Sequence, residues 1–156
     1  MKKLYWFTGQ AGAGKTVLAH RLKAELEKKN IDQSIDKKYV IIDGDDIRAL
    51  YENKDYSIDG RMANVDFVQK LCLFLIKNKI TPIVCMVSPF GEQREDFINE
   101  NGGIEIYVYT TEIRGREHYH VEYFEKPDEM RNNVVYIDTT GLTVDESFGV
   151  IKNKLI

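Results

Sequence analysis

The hydrophobic pattern of the chain consists of short apolar runs that alternate with longer segments of helical periodicity. Each run has the length of a buried strand, and the five runs cover residues 4–7, 39–42, 80–87, 104–109 and 134–137. Between them, apolar side chains recur at helical spacing at Val17, Leu18, Leu22 and Leu26, and again at Val65, Val68, Leu71, Cys72 and Leu75. This alternation predicts a three-layer α/β/α fold with a mostly parallel sheet of about five strands.

Local signals predict two further helices in the second half of the chain. Ser88 followed by Pro89 suits an N-cap and first turn, and predicts a helix over residues 90–101 that stops at a pair of glycines. Thr143 and Glu146 have the spacing of a capping box, which predicts a last helix ending near Ile156. Residues 110–130 show no clean period, so we expect a mobile lid or a surface loop there.

Composition narrows the class of protein only slightly. The 156 residues suit one domain over residues 1–156, and 43% hydrophobic residues are typical of a folded chain. A net charge of -3 gives no support to nucleic-acid binding. Cys72 and Cys85 lie inside apolar runs, as reduced core thiols do, and neither a signal peptide nor a membrane span is indicated. We therefore expect a cytoplasmic protein without a membrane partner.

The strongest motif follows the first predicted strand directly and has the pattern G-x-x-x-x-G-K-S/T. Its members are Gly9, Gln10, Ala11, Gly12, Ala13, Gly14, Lys15 and Thr16. In such a loop, backbone N–H groups surround the phosphates, Lys15 reaches the β and γ oxygens, and Thr16 binds magnesium. The motif predicts a P-loop nucleoside-triphosphatase fold that uses ATP and Mg²⁺. Its glycine spacing excludes the dinucleotide fingerprint G-x-G-x-x-G.

A second polar cluster, residues 43–48, follows the second predicted strand and contains three carboxylates and one guanidinium group. We expect this strand to lie beside the strand of the phosphate loop, with its acidic end facing the phosphates. Magnesium or a nucleophilic hydroxyl group needs a carboxylate at this place. The alternative is a charged turn that only caps the next helix.

Several motifs, in order along the chain, resemble the adenylylsulfate kinase family, which transfers the γ-phosphate of ATP to the 3'-hydroxyl of adenosine 5'-phosphosulfate. The phosphate loop, preceded by Trp6-Phe7-Thr8, is similar to the opening of that family. Residues 43–48 resemble its D-G-D-N-I/V-R motif. The two remaining likenesses are to F-S-x-x-D-R-x-x-N, at Tyr56, Ser57, Gly60, Arg61 and Asn64, and to S-P-Y/F, at Ser88, Pro89 and Phe90 with Arg94. The resemblance covers residues 4 to about 97.

The resemblance implies a role for each matching side chain. Lys15, Asp45 and Ser88 would be the catalytic residues, and Asp45 would be the base or the carboxylate that shares magnesium with Thr16. The substrate-binding residues would be Asp43, Arg48, Tyr56, Arg61, Asn64, Pro89 and Phe90. Of these, Tyr56 would stack on adenine, while two arginines and an asparagine would hold the phosphosulfate and ribose. Ser88 matches a serine described as phosphorylated in this family, but in-line transfer needs no covalent intermediate, which favours a pocket hydroxyl or helix cap.

The chain departs from the family pattern in two regions. Asp66 and Phe67 stand where the family has two arginines, and Asp46 replaces an asparagine. Past residue 109 the family's lid sequence D-P-K-G-L-Y-K-K is missing, and a shorter segment carries Arg114, Arg116, His118 and His120 instead. The two arginines are either lid charges for the transferring phosphoryl group or plain surface residues. The two histidines lack a third ligand that a zinc site would need, and their role stays open.

These departures leave the phosphoryl acceptor open at this point. One alternative is a kinase of the same fold that acts on a nucleoside, a polynucleotide end or a small metabolite. Another is a nucleotide-binding regulator without turnover. The guanine-reading motif N-K-x-D of GTPases does not occur in the chain. We expect a small-molecule nucleotide substrate and no nucleic-acid partner, with a homodimer as the candidate assembly.

Overall fold

The structure is a computed structural model that describes residues 2–156, and its central feature is a five-stranded parallel sheet. The strands are Leu4–Thr8 (β1), Lys38–Asp43 (β2), Ile80–Cys85 (β3), Gly103–Tyr109 (β4) and Val134–Asp138 (β5). Their order across the sheet is β2-β3-β1-β4-β5, and all four neighbouring pairs are parallel. The predicted parallel sheet is confirmed. The expected neighbour of the phosphate-loop strand is wrong, because β3 lies between β2 and β1.

Four α-helices lie between the strands and a fifth follows the last strand: Lys15–Asp32 (α1), Gly44–Leu50 (α2), Ile58–Lys77 (α3), Gly91–Glu100 (α4) and Val144–Leu155 (α5). The acidic cluster therefore forms a short helix of its own. The capping box of α5 is confirmed, since Thr143 Oγ1 accepts from Glu146 N at 3.2 Å and Thr143 N donates to Glu146 Oε2 at 2.7 Å. Within residues 2–156, none of the helices has the length and apolar character needed to span a membrane.

The helices form two layers because alternate side chains of the central strand face opposite sides of the sheet. Tyr5 and Phe7 pack in the core that α1 and α5 cover, whereas Leu4 and Trp6 pack in the core of α3 and α4. All residues of β1 are buried, as expected for a central parallel strand. A fully buried aliphatic or aromatic side chain contributes about 1.5–3 kcal/mol, so β1 is a firmly packed base for the loop that follows it.

Residues 110–133 run over the surface at the carboxyl end of β4 and include one turn of 3-10 helix, Glu117–Tyr119. Most of their side chains are exposed, as expected of a surface segment, but Val121 is only 4% exposed. Arg94 on α4 donates from Nη2 to the carbonyl oxygen of Glu125 at 2.8 Å, and the Tyr136 hydroxyl on β5 donates to that of Pro127. These contacts anchor the second half of the segment to the sheet and α4.

Candidate active site

The phosphate loop joins the carboxyl end of β1 to the start of α1. Gly9 has φ 143°, and a Cβ atom on it would lie 2.1 Å from the carbonyl oxygen of Val108 on β4. Gly14 has φ 107°, in the left-handed region, and is the N-cap of α1. The bend directs the N–H groups of the first turn of an 18-residue helix toward the inside of the loop. A helix N-terminus in this setting binds anions, phosphates in particular.

Lys15 is held inside this loop. It is 8% exposed, and its Nζ donates to the carbonyl oxygen of Gln10 at 2.8 Å. Burial lowers the pKa of Lys15 to about 8, although the nearby carboxylates of Asp43 and Asp45 act in the opposite direction. Additional negative charge beside the ammonium group would favour its protonated form. Lys15 is therefore suited to neutralise a bound polyanion.

Thr16 and Asp43 form the pair that best suits a magnesium ion. The Thr16 hydroxyl donates to Asp43 Oδ2 at 2.9 Å, while Asp43 Oδ1 accepts from the backbone N–H of Asp45 at 2.9 Å and so caps α2. The sequence indicated Asp45 as the metal-side carboxylate and Asp43 as a substrate ligand. The structure instead brings Asp43 to Thr16, because Asp43 is the last residue of β2 and the cap of α2.

The donors at this place fit magnesium by their chemistry. Mg²⁺ prefers oxygen ligands and takes one or two from protein side chains, with water and substrate phosphates completing its shell. Among residues 2–156, there is no group of three or more His, Cys, Asp or Glu side chains that could hold a metal by themselves. A metal bound beside Thr16 and Asp43 would therefore depend on the nucleotide for further ligands.

Cys85, the last residue of β3, is a neighbour of this pair that the sequence indicated only as a core thiol. Its Sγ lies 3.5 Å from Asp43 Oδ2 and donates to it. Burial and the charge of Asp43 raise the pKa of Cys85 to about 12, so the thiol is neutral at physiological pH. Cys85 helps to orient Asp43. Its place at the carboxyl end of a parallel strand is the signal that could have identified it.

One large cavity, of about 860 Å³, connects the phosphate loop with α2 and the start of α3. It brings together most of the predicted site residues, namely Ala11, Gly12, Gly14, Lys15, Thr16, Asp43, Asp45, Arg48, Tyr56, Arg61, Asn64, Ser88 and Pro89. Four predicted site residues do not line it, namely Gly9, Gln10, Ala13 and Phe90. The Phe90 ring stacks on that of Tyr123 at 5.7 Å between centroids.

At the far end of the cavity, an aromatic ring contacts two arginines. The guanidinium carbon of Arg48 lies 4.3 Å from the centroid of the Tyr56 ring, and that of Arg61 lies 5.4 Å from it. Arg48 is also tied down by Nη1, which donates to the carbonyl oxygens of Asn53 at 3.4 Å and Asp55 at 2.8 Å. Tyr56 is exposed and Arg61 is half-buried, whereas Arg48 is buried beside the ring.

Asn64 is buried between α2 and α3, with its amide group used by the protein itself. Its Oδ1 accepts from the Tyr51 hydroxyl at 2.9 Å, and its Nδ2 donates to the carbonyl oxygen of Gly44 at 3.5 Å. Asn64 therefore braces α2 against α3, although it also lines the cavity.

Ser88 is not the predicted helix cap, since α4 begins at Gly91 with Phe90 as its N-cap. The Ser88 hydroxyl accepts from Trp6 Nε1 at 2.9 Å and lies 3.1 Å from Thr8 Oγ1. Ser88 is 2% exposed and has φ 40°, a conformation rare outside glycine. Ser88 lines the cavity, and its hydroxyl is held by these contacts with other residues of the protein.

A buried ion network holds the strained turn at Ser88. Arg94 is fully buried and donates to Glu105 through Nε and to the carbonyl oxygen of Ser88 through Nη1 at 2.5 Å. Glu105, also fully buried, accepts from Arg131 Nη1 at 2.5 Å. These residues connect α4, β4 and the end of the surface segment. Arg94, singled out by its motif, thus acts on the cavity through the backbone of Ser88.

The first half of the surface segment is attached to the phosphate loop. Arg114 donates to the carbonyl oxygens of Gly12 and Ala13 at 3.3 and 3.2 Å. The Gln10 side chain pairs with the backbone of Val121, with Nε2 donating to its oxygen at 2.7 Å and Oε1 accepting from its nitrogen at 2.9 Å. Neither contact could be inferred from the sequence, because both join residues more than a hundred positions apart.

The two histidines of this segment have different surroundings. His120 Nε2 lies 3.1 Å from the carbonyl oxygen of Ala11, whereas the His118 ring lies against that of Tyr119 at 3.9 Å between centroids. His120 thus adds a further contact to the phosphate loop.

A Gly-rich loop after the central strand of a parallel sheet, a lysine buried inside it and a threonine–aspartate pair beside it define the class of P-loop nucleoside-triphosphate-binding proteins. The chain belongs to the adenylylsulphate kinase family, whose model matches residues 1–126. A probable adenylyl-sulfate kinase of Pyrococcus abyssi is 32% identical over 170 residues, which cover 96% of this chain and 92% of that protein. Another from Halalkalibacterium halodurans is 24% identical over 96% of this chain and 78% of its own length.

Solved structures show the same fold. The Mycobacterium tuberculosis APS kinase CysC in complex with AMPPNP and APS superposes with a TM-score of 0.67 at 20% identity, over 99% of this chain and 97% of that one. A gluconokinase from Sinorhizobium meliloti superposes with a TM-score of 0.63 at 10% identity, over 98% and 93%. At these identities the likeness concerns the fold alone, which kinases of different acceptors share.

Proposed function

We propose that this chain transfers the γ-phosphoryl group of ATP to the 3'-hydroxyl group of adenosine 5'-phosphosulfate. The observation that carries the proposal is a single cavity with two chemically different ends. One part of it is lined by the phosphate loop with Lys15, and another by Tyr56 with the guanidinium groups of Arg48 and Arg61 close to its ring. The first end suits a nucleoside triphosphate, and the second suits an acceptor that combines a base with a strongly anionic group. Membership in the adenylylsulphate kinase family supports the same acceptor.

The proposed reaction is an in-line displacement. The acceptor hydroxyl oxygen forms a bond to the γ-phosphorus while the bond from that phosphorus to the β–γ bridging oxygen breaks, and ADP leaves. The hydroxyl proton passes to the carboxylate of Asp45, which lines the cavity from the first turn of α2. Lys15 neutralises charge on the β and γ oxygens. Thr16 and Asp43 would hold magnesium, which neutralises phosphate charge when bound.

The acceptor would be held mainly by the residues around Tyr56. Its ring, 57% exposed, offers a face on which adenine can stack. Arg48 and Arg61 would turn donors toward the phosphosulfate, and Ser88 with Pro89 would form the wall beside it. Asn64 lines the cavity as well as bracing α2, and it would contact the acceptor from there. Phe90 does not line the cavity, so its contact with the acceptor stays a prediction from the sequence.

The test is product formation from adenosine 5'-phosphosulfate, ATP and Mg²⁺ by the unmodified protein, with separation of the 3'-phosphorylated nucleotide by ion-exchange chromatography. Lys15→Ala is the matched control, since it removes the ammonium group that faces the phosphates and should lower turnover at least about 100-fold. Gluconate and the nucleoside adenosine serve as control acceptors. If no product forms from adenosine 5'-phosphosulfate but ATP is consumed with another acceptor, the proposed acceptor is wrong and the assignment as a kinase stands.

We further propose that residues 1–156 act as one kinase domain in the cytoplasm. Both cysteines are free and buried, which is the state expected in a reducing compartment. Reaction of the unfolded protein with a thiol reagent, after rapid lysis into acid, should detect two reduced thiols per chain. Detection of a disulfide would contradict the proposed location in a reducing compartment.

We also propose a homodimer as the assembly. The support is the exposure of three large apolar side chains on helices α2 and α3, namely Leu50, Phe67 and Phe74. Sedimentation equilibrium should give about twice the 18.1 kDa mass of the chain. A mass of 18.1 kDa at all concentrations would overturn the dimer.

A further inference from the structure

Arg116 lies directly on the phosphate loop. Its Cβ and Cγ atoms lie 3.0 and 3.1 Å from the position that a Cβ atom would take on Gly12. The side chain lines the same cavity as Lys15 and Thr16, and its guanidinium carbon lies 5.1 Å from the centroid of the Tyr119 ring. In the part of the chain that the structure describes, Arg116 takes part in no ion pair. Its charge is therefore available to a ligand in the cavity.

Arg114, two residues earlier, is committed to the protein. Besides its bonds to the phosphate loop, it donates from Nη2 to the carbonyl oxygen of Thr139 at 3.1 Å and to Glu112 Oε2 at 2.5 Å. These bonds join the segment to the phosphate loop and to the loop after β5. The two arginines that the sequence could not distinguish thus differ in kind: Arg114 is bound by oxygen atoms of the protein and Arg116 is not.

Arg116 and Lys15 share one electrostatic environment. Both cationic side chains line the same cavity beside the phosphate loop. Two cations that repel each other across a cavity are stabilised by an anion placed between them. The negative charge that such an anion carries during phosphoryl transfer is spread over the oxygens of the transferring group.

We propose that Arg116 is a catalytic residue that contacts the transferring phosphoryl group and stabilises the charge on its oxygens during the reaction. This inference rests on the proposed function and deepens it. The guanidinium group keeps its protons throughout and forms only hydrogen bonds. Tyr119 acts as a positioning residue, because its ring supports the guanidinium group from the side.

The experiment compares Arg116→Ala, Arg116→Lys and Arg114→Ala with the unmodified protein, and uses Arg21→Ala as a matched control. Arg21 is an exposed arginine that pairs with Asp145 on α5, away from the cavity. Arg116→Ala should lower kcat/KM about 100-fold or more, while the Kd of Mg-ADP changes less than about threefold. Arg116→Lys should recover part of the loss, since it restores the charge without the planar group. Arg21→Ala should match the unmodified protein.

A second measurement separates this inference from the acceptor. Binding of Mg-ADP with aluminium fluoride, which imitates the transferring group, is measured by calorimetry without any acceptor. The unmodified protein should bind this complex more tightly than Mg-ADP, and Arg116→Ala should lose that gain. If the unmodified protein binds the complex but does not phosphorylate adenosine 5'-phosphosulfate, only the proposed acceptor fails, and the role of Arg116 is decided by this binding measurement.

Three outcomes would overturn the role of Arg116. A kcat/KM of Arg116→Ala within about twofold of the unmodified value would make it a surface residue. Equal losses of affinity for Mg-ADP and for its fluoride complex would make it an anchor of the nucleotide. A lower Tm together with both losses would make it structural, which is the behaviour we expect of Arg114→Ala because Arg114 joins three loops.

Discussion

Lys15 gives the free protein a pH dependence that can be measured directly. Its pKa of about 8 means that the ammonium group is charged below that pH and is lost as the pH rises through it. Since kcat/KM reports the free enzyme, kcat/KM for ATP should fall above pH 8, whereas kcat should stay level to higher pH because bound phosphates favour the charged form. Steady-state assays that measure kcat and kcat/KM for ATP below and above pH 8 test this prediction. A kcat/KM that stays constant well above pH 8 would contradict the burial of this charge.

The two neighbouring carboxylates should separate by their responses to substitution. Asp43 contacts the Thr16 hydroxyl, so Asp43→Asn should raise the magnesium concentration for half-maximal rate about tenfold or more. Asp45→Asn should instead lower kcat about 100-fold and leave the Kd of Mg-ATP unchanged, because the base acts only in the reaction. Magnesium titrations of both variants make the comparison. A higher magnesium requirement in Asp45→Asn, together with a loss of kcat in Asp43→Asn, would instead identify Asp45 as the carboxylate that binds magnesium.

For individual residues, the sequence predicted which of them come together at the candidate site, but it did not always predict which contacts each one makes there. The phosphate-loop pattern located Lys15 and Thr16 because the chemistry of that loop depends on local spacing alone. The choice between Asp43 and Asp45 depends on the residue at which β2 ends and α2 begins, and boundaries of elements are poorly specified by local sequence. The thiol of Cys85 came to the same place from another strand.

Among the elements, β4 and α4 depend on a buried charge. Glu105 is fully buried between Arg94 and Arg131, so Glu105→Gln would leave two guanidinium groups with only the carboxylate of Glu95, at 3.7 and 3.2 Å, as counter-charge. We expect a loss of about 3–5 kcal/mol in the free energy of unfolding, measured by urea denaturation. Glu25→Gln is the control, because Glu25 pairs with Lys152 at the surface and its loss should change stability little. Similar stability of both variants would show that the buried network contributes nothing.

Elements governed by short-range signals were predictable, and those governed by distant contacts were not. The capping box of α5 joins residues three apart, and it formed as predicted. Ser88 had an equally good local signal for a cap, but its hydroxyl accepts from the Trp6 indole on the neighbouring strand β1. The surface segment showed no period for a similar reason, since hydrogen bonds to the phosphate loop fix it rather than an apolar face.

For the molecule as a whole, nucleotide binding should stabilise the fold. A ligand that binds only the folded state at 100 times its Kd adds about 2.7 kcal/mol. For a chain of this size that corresponds to an increase in Tm of about 5–10 °C. Thermal denaturation with and without Mg-ATP measures the shift, and Lys15→Ala should reduce it. An unchanged Tm at saturating nucleotide would contradict an ATP site in the cavity.

The architecture was predictable in its strands and layers but not in its strand order. Apolar runs are long enough to indicate five buried strands, and helices between them require parallel pairing. The local sequence does not specify that β3 lies between β1 and β2, because strand order depends on contacts between residues far apart in the chain. The expected position of the acidic strand was wrong for this reason.

The hydrogen bond between Trp6 and Ser88 gives the protein an optical reporter. Trp6 is the single tryptophan of the chain, so fluorescence excited beyond the absorption of tyrosine comes from one indole ring. That ring is fully buried, and its N–H donates to a hydroxyl on the cavity wall. Because indole emission responds to nearby charge and polarity, a phosphosulfate that reaches this wall should shift the emission without any attached dye, and titrations at the two ends of the cavity can be followed in the unlabelled protein.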